Sequence, residues 1–198
     1  MFYLIENIEQ LSVLKNSGYK EAFIHVIPLN NNTHPIQNGA SLVYLRPILA
    51  SKGYLICITH TESFSVEYSV VYETLEKFEI LYTIDKKQTL HFFPLRALVD
   101  ITPPPTPYIQ DPTPIYDYYY RKYKEIRDIN RIIPIVKHYE VCEKIFDKVG
   151  ELCVPPHTDY QKFFNNKTSL TFAALERRGL KIDRDIFKEY FHDSNDDF

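Results

Sequence analysis

His138-x₃-Cys142 and Cys153-x₃-His157 bring together four side chains of the types that hold zinc. The i, i+4 spacing puts both members of a pair on one helical face, and a tetrahedral Cys₂His₂ site would staple a helix to the Pro155-Pro156 turn. The pairs lack the short C-x₂₋₄-C of a zinc finger. Cys142 also falls on an apolar helical stripe, where cysteine is an ordinary core residue. The simpler reading is structural, and no cofactor is expected. A second constellation is His34, His60 and Glu62, a potential metal or acid–base cluster. His60 follows a strand end, where a backbone partner suffices to explain it. A third is the run from Tyr116 to Arg127, in which Tyr119 and Tyr120 precede Arg121, Lys122, Lys124 and Arg127. Rings that stack on bases, interleaved with cations that neutralise phosphates, suit single-stranded nucleic acid. The alternative is a helix that packs its tyrosines inward and solvates its charges. No serine or cysteine stands in a nucleophile elbow, and five glycines leave no phosphate-cradling loop.

Composition narrows the classes further. A chain of 198 residues that is 44% hydrophobic can bury one main core. It has no apolar run of about 20 residues to cross a bilayer. The opening Met-Phe-Tyr-Leu-Ile-Glu lacks a basic and apolar leader, and three cysteines do not make a disulfide framework, so a cytoplasmic protein without membrane partners is expected. A net charge of −3 gives no global attraction to a polyanion, so any contact with DNA must be local. The wealth of Tyr, Phe, Asn, Lys and Ile is read as the imprint of an AT-rich genome.

The elements that must position these residues follow from periodicity. Phe2–Ile5 reads as a strand, 9–15 as a helix with Leu11 and Leu14 inward, and Gly18 as its end. Strands are expected at 22–27, 40–45 and 53–59, linked closely enough for an antiparallel meander. A helix over 70–79 returns the chain parallel into the strand 79–84. A helix over 89–98 and a short strand at 98–101 follow. Pro103, Pro104, Pro105, Pro107, Pro112 and Pro114 mark a surface loop or linker. A helix over 134–152 buries Ile135, Val136, Tyr139, Cys142, Ile145, Phe146 and Val149. Together these predict an α/β fold, a mixed sheet flanked by helices of the ribonuclease H-like kind, with a C-terminal helical extension.

The C-terminal string Leu170-Thr-Phe-Ala-Ala-Leu-Glu-Arg-Arg-Gly-Leu-Lys-Ile-Asp183 reads as a helix closed by Gly179, a buried couplet and an Asp183 cap. The cap opens a second helix with the stripe Ile186, Phe187, Tyr190 and Phe191. This string resembles the segment of family A (polymerase I-like) DNA polymerases that leaves the 3′–5′ exonuclease domain, where a helix ends in E-R-x-G-hydrophobic-x-hydrophobic-D. The order of elements before it is similar to that exonuclease domain too. The resemblance implies a ribonuclease H-like domain over 1–154 and a helical segment over 155–198 that leads towards a polymerase body. It also implies three motifs whose carboxylates hold two metal ions. Here D-x-E reads His25-Val-Ile27, and N-x-x-x-D falls on Ile84-Asp85-Lys-Lys-Gln-Thr89, with Thr89 at the metal-binding position. Y-x-x-x-D falls on the 135–149 helix, with Lys137, His138 or Tyr139 at the ligand position and Glu140 one residue on.

The expectation is therefore a non-catalytic exonuclease-like domain or subunit of a split or truncated family A-like polymerase, of phage or another AT-rich replicon. Such a chain has no activity alone. Its partners would be a polymerase body, docked through 184–198, and DNA. The alternative is a stand-alone nucleic-acid-binding or replisome adaptor on the same scaffold.

Overall fold

A computed structural model of the protein describes residues 2–100, 128–149 and 159–179. In chain order the strands are β1 (Phe2–Ile5), β2 (Glu21–Pro28), β3 (Ala40–Pro47), β4 (Gly53–Cys57), β5 (Ile80–Thr83) and β6 (Leu98–Asp100). The helices are α1 (Ile8–Lys15), α2 (Tyr68–Leu75), α3 (Lys86–Phe92), α4 (Ile132–Val149) and α5 (Asp159–Arg178). One six-stranded sheet has the order β1-β4-β3-β2-β5-β6. β3 runs antiparallel to both of its neighbours, whereas β1 with β4, β2 with β5 and β5 with β6 pair in parallel. Setting β1 aside, the five remaining strands lie in the order 3-2-1-4-5 with only the second reversed, which is the ribonuclease H-like arrangement. The expected α/β mixed sheet with flanking helices is the fold observed.

Period-two alternation distributes the side chains of the central strands to two cores. Ala22, Ile24 and Val26 of β2 join Val43, Leu45 and Ile56 beneath α1, α2 and α3. Phe23 and Ile27 point the other way, with Leu42, Tyr44, Leu55 and Cys57, and meet Ile135 and Tyr139 of α4. His25 shares that second face by register, so β2 aims His25 and Ile27 at α4.

Local chemistry sets the helix ends. Asn7 caps α1 by accepting from the Gln10 amide at 2.9 Å, and Gly18 takes the left-handed conformation after it. α2 covers Tyr68–Leu75 rather than 70–79, because the chain already turns at Glu76 towards β5; Val71, Leu75 and Phe78 are buried as expected. α3 covers Lys86–Phe92 rather than 89–98: the Asp85 carboxylate accepts from the Gln88 amide and starts it three residues early. Pro94 ends it, since the residue before a proline is pushed out of the helical region and Phe93 is extended. α4 starts at Ile132, two residues before Pro134, which its first turn tolerates. Its first amide is capped from a distance, with Glu62 Oε2 accepting from the Ile132 N–H at 2.8 Å. α5 runs 20 residues to Arg178, where Gly179, at φ 69°, closes it as the C-terminal string implies. Among the described residues no helix is long and apolar enough to cross a membrane. The proposed boundary at 154/155 lies outside the described residues.

Candidate functional site

Ligands of open α/β sheets collect beyond the carboxyl ends of the strands. Here the ends of β2 and β5 carry His25–Pro28 and Ile84–Asp85, and a cavity of about 370 Å³ opens between them. Its walls include His25, Ile27, Asn30, Asn31, Asp85 and Gln88, with Phe92 and Ile129 also in the lining. The structure thus brings together the residues that the first two resembled motifs single out, with one change of register. On α3 it is Asp85, Gln88 and Phe92, at i, i+3 and i+7, that face the cavity. Thr89 is buried behind them, its hydroxyl 2.8 Å from that of Thr83.

Asp85 is the single described non-glycine residue with positive φ, at 62°. Aspartate tolerates this region better than most residues. The conformation lets its carboxylate reach the Gln88 amide at 3.1 Å while its carbonyl accepts from the Thr89 amide at 3.1 Å. Asp85 is therefore built into the start of α3, and it is the sole carboxylate among the described lining residues. Next to it, Lys86 is buried, which lowers its pKa against the opposing pull of Asp100.

His25 is tied to the third motif. Its Nδ1 lies 2.6 Å from the Tyr139 hydroxyl, and the Tyr139 ring stacks on Tyr44 with centroids 3.9 Å apart and planes 12° apart. Burial, reinforced by neighbouring His138, pushes the His25 pKa down to about 3, so its imidazole is neutral at physiological pH. Of the three candidate positions on α4, Tyr139 points into the sheet; Glu140 is exposed and does not line the cavity. Lys137 is likewise exposed, and the His138 ring sits edge-on to Tyr139 at 5.4 Å.

The other sequence candidates divide cleanly. His60 is a turn residue held by backbone: Nε2 meets the Ile129 carbonyl at 3.2 Å and Nδ1 accepts from the Glu62 amide at 3.2 Å. Glu62 caps α4 and His34 packs edge-on against His91, so His34, His60 and Glu62 have separate structural roles. Of the zinc quartet only the His138 side chain is described; the side chains of Cys142, Cys153 and His157 lie outside the described residues. So do Tyr119, Tyr120, Arg121, Lys122, Lys124 and Arg127, and Ile186, Phe187, Tyr190 and Phe191. Among the described residues no group of three or more His, Cys, Asp or Glu could hold a metal ion.

Sequence reasoning passed over the rim of the cavity. Asn30-Asn-Asn reads as a turn, yet Asn30 and Asn31 line the cavity together with Asn38. The Asn38 amide braces this loop, accepting from the Asn30 and Gly39 N–H groups at 3.2 and 3.0 Å and donating to the Thr33 carbonyl at 3.2 Å. Chemically the site offers neutral amides, a neutral imidazole, one capping carboxylate and an apolar floor. It can hydrogen-bond a ligand, but the described lining residues include no second carboxylate to share a divalent cation with Asp85.

No protein-family model and no curated protein matches this chain. Among solved structures, the crystal structure of the Aedes aegypti Nibbler EXO domain is similar over 81% of this chain and 78% of that one, at 10% sequence identity and a TM-score of 0.36.

Proposed function

We propose that this chain is a non-hydrolytic exonuclease-like domain that serves a family A-like DNA polymerase as a structural and docking unit. The observation that carries the reading is the makeup of the site. Where two-metal hydrolysis needs several carboxylates around one point, the strand ends present Ile27, fully buried, and Asp85, committed to capping α3. Thr89 is turned away into a hydroxyl pair with Thr83, and Tyr139 is locked to His25. This reading is supported by the described residues at the motif positions, which pack or hydrogen-bond within the fold.

The polymerase part rests on the C-terminal string. Its Glu176-Arg177-Arg178-Gly179 run ends a helix on a left-handed glycine, as the resembled segment implies. The cavity lining has no Lys or Arg among the described residues, so affinity for a DNA backbone would come from elsewhere, and Arg121, Lys122, Lys124 and Arg127 are the proposed source. The docking claim is tested by gel filtration of the full chain with a family A polymerase fragment from the same replicon that lacks an exonuclease domain. Co-elution that is lost on deleting residues 184–198 is expected. Separate elution of the two proteins, or co-elution that survives the deletion, overturns the docking role.

A further inference from the structure

Helix α5 is attached in a way that sets it apart from the other helices. α1, α2 and α3 each contribute apolar side chains to the core below the sheet, whereas Ala173 is the one described α5 residue buried there. The large apolar side chains Leu170, Phe172 and Leu175 remain about half exposed. Among the described side chains, those that grip α3 are polar. Glu176 receives Lys87 Nζ at 2.6 Å on one carboxylate oxygen and His91 Nε2 at 2.7 Å on the other. One residue on, the Arg177 guanidinium donates to the Leu90 carbonyl. All three partners belong to α3, so a single turn of α5 grips that helix, and α5 also lies against β6.

We propose that α5 is a releasable arm, clasped to α3 by Glu176 and Arg177, and that opening this clasp frees the arm without unfolding the sheet. Three features point to a clasp rather than a core contact. The grip is charge-assisted and partly wet, with the Lys87 and Glu176 side chains 41% and 30% exposed. The carboxylate is nonetheless engaged: Lys87 first, then His91, hold Glu176 below the usual glutamate range. And the grip is local, since the Lys87, Leu90 and His91 partners of Glu176 and Arg177 all lie on α3. A charge-assisted contact confined to one turn can open as a unit. This inference stands apart from the docking role, because it concerns only the described chain.

The test is amide hydrogen exchange on the full-length protein and its Glu176→Ala variant. Loss of one doubly engaged carboxylate is expected to speed exchange across 159–178 roughly tenfold, while the amides of β2 and β3 keep their wild-type rates. Lys87→Ala, which removes only the half-exposed arm of the clasp, is expected to act on the same residues more weakly. Unchanged exchange in 159–178 overturns the proposal. So does acceleration of the sheet amides in step with α5, or a Glu176→Ala chain that loses its sheet, since the helix would then be part of the cooperative core.

Discussion

Replacing Tyr139 by Ala is expected to destabilise the protein by about 3–5 kcal/mol, the range for deleting a buried aromatic ring. Tyr139 is fully buried, stacked on Tyr44 and bonded to His25, so the truncation opens a cavity between α4 and the sheet and removes the hydrogen bond to His25. Against a typical net stability of about 5–15 kcal/mol this is a large fraction. Tyr139→Phe keeps the stack and loses only the hydroxyl, for about 1 kcal/mol. Urea unfolding followed by circular dichroism separates the two. A Tyr139→Ala midpoint close to that of the wild type would mean that α4 does not pack on the sheet through this ring.

His25 sets the second large effect, through pH. Its folded pKa of about 3 lies below the ordinary 6.5 because burial disfavours the charged ring, with His138 adding to the effect. The unfolded chain therefore binds a proton at His25 below about pH 6.5 that the folded chain refuses. The sign is that of a depressed pKa: the stabilisation is complete above pH 6.5 and declines as pH falls towards 3. Between pH 7 and pH 5 the loss is about 2 kcal/mol, from roughly 1.5 pH units at 1.36 kcal/mol each. Stability measured at both pH values in wild type and His25→Gln should show that the substitution flattens the difference. An equal decline in both proteins would place the acid-sensitive group elsewhere.

The sheet was legible because its strands are short runs of β-branched and aromatic residues broken by Pro28, the Asn-rich turn and Gly53. His25 and Ile27 were paired in the sequence by the D-x-E motif of the resemblance, and the period of two along β2 puts them on one face. The register of α3 was not legible. A four-residue motif count points to Thr89, but the left-handed turn at Asp85 starts the helix early and rotates Gln88 into the cavity in its place. On α4 the motif left three candidates, and only the stack on Tyr44 selects Tyr139. Two further features depend on partners far apart in the chain, which no local pattern encodes. Glu62 caps a helix 70 residues on, and the clasp joins Lys87 and His91 to Glu176 across 89 and 85 residues. The run Glu-Arg-Arg-Gly was conspicuous in the sequence as a family resemblance, yet two of its side chains bind α3.

End-labelled single-stranded DNA incubated with the purified chain in Mg²⁺ or Mn²⁺ tests most directly the proposal that this ribonuclease H-like site does not hydrolyse nucleic acid. With Asp85 the one carboxylate among the described lining residues and Glu140 exposed away from the cavity, the labelled strand is expected to keep its full length over the buffer background. Progressive 3′–5′ shortening that disappears in Asp85→Ala or Glu140→Ala would contradict the account, because those carboxylates would then be holding metal in a working site.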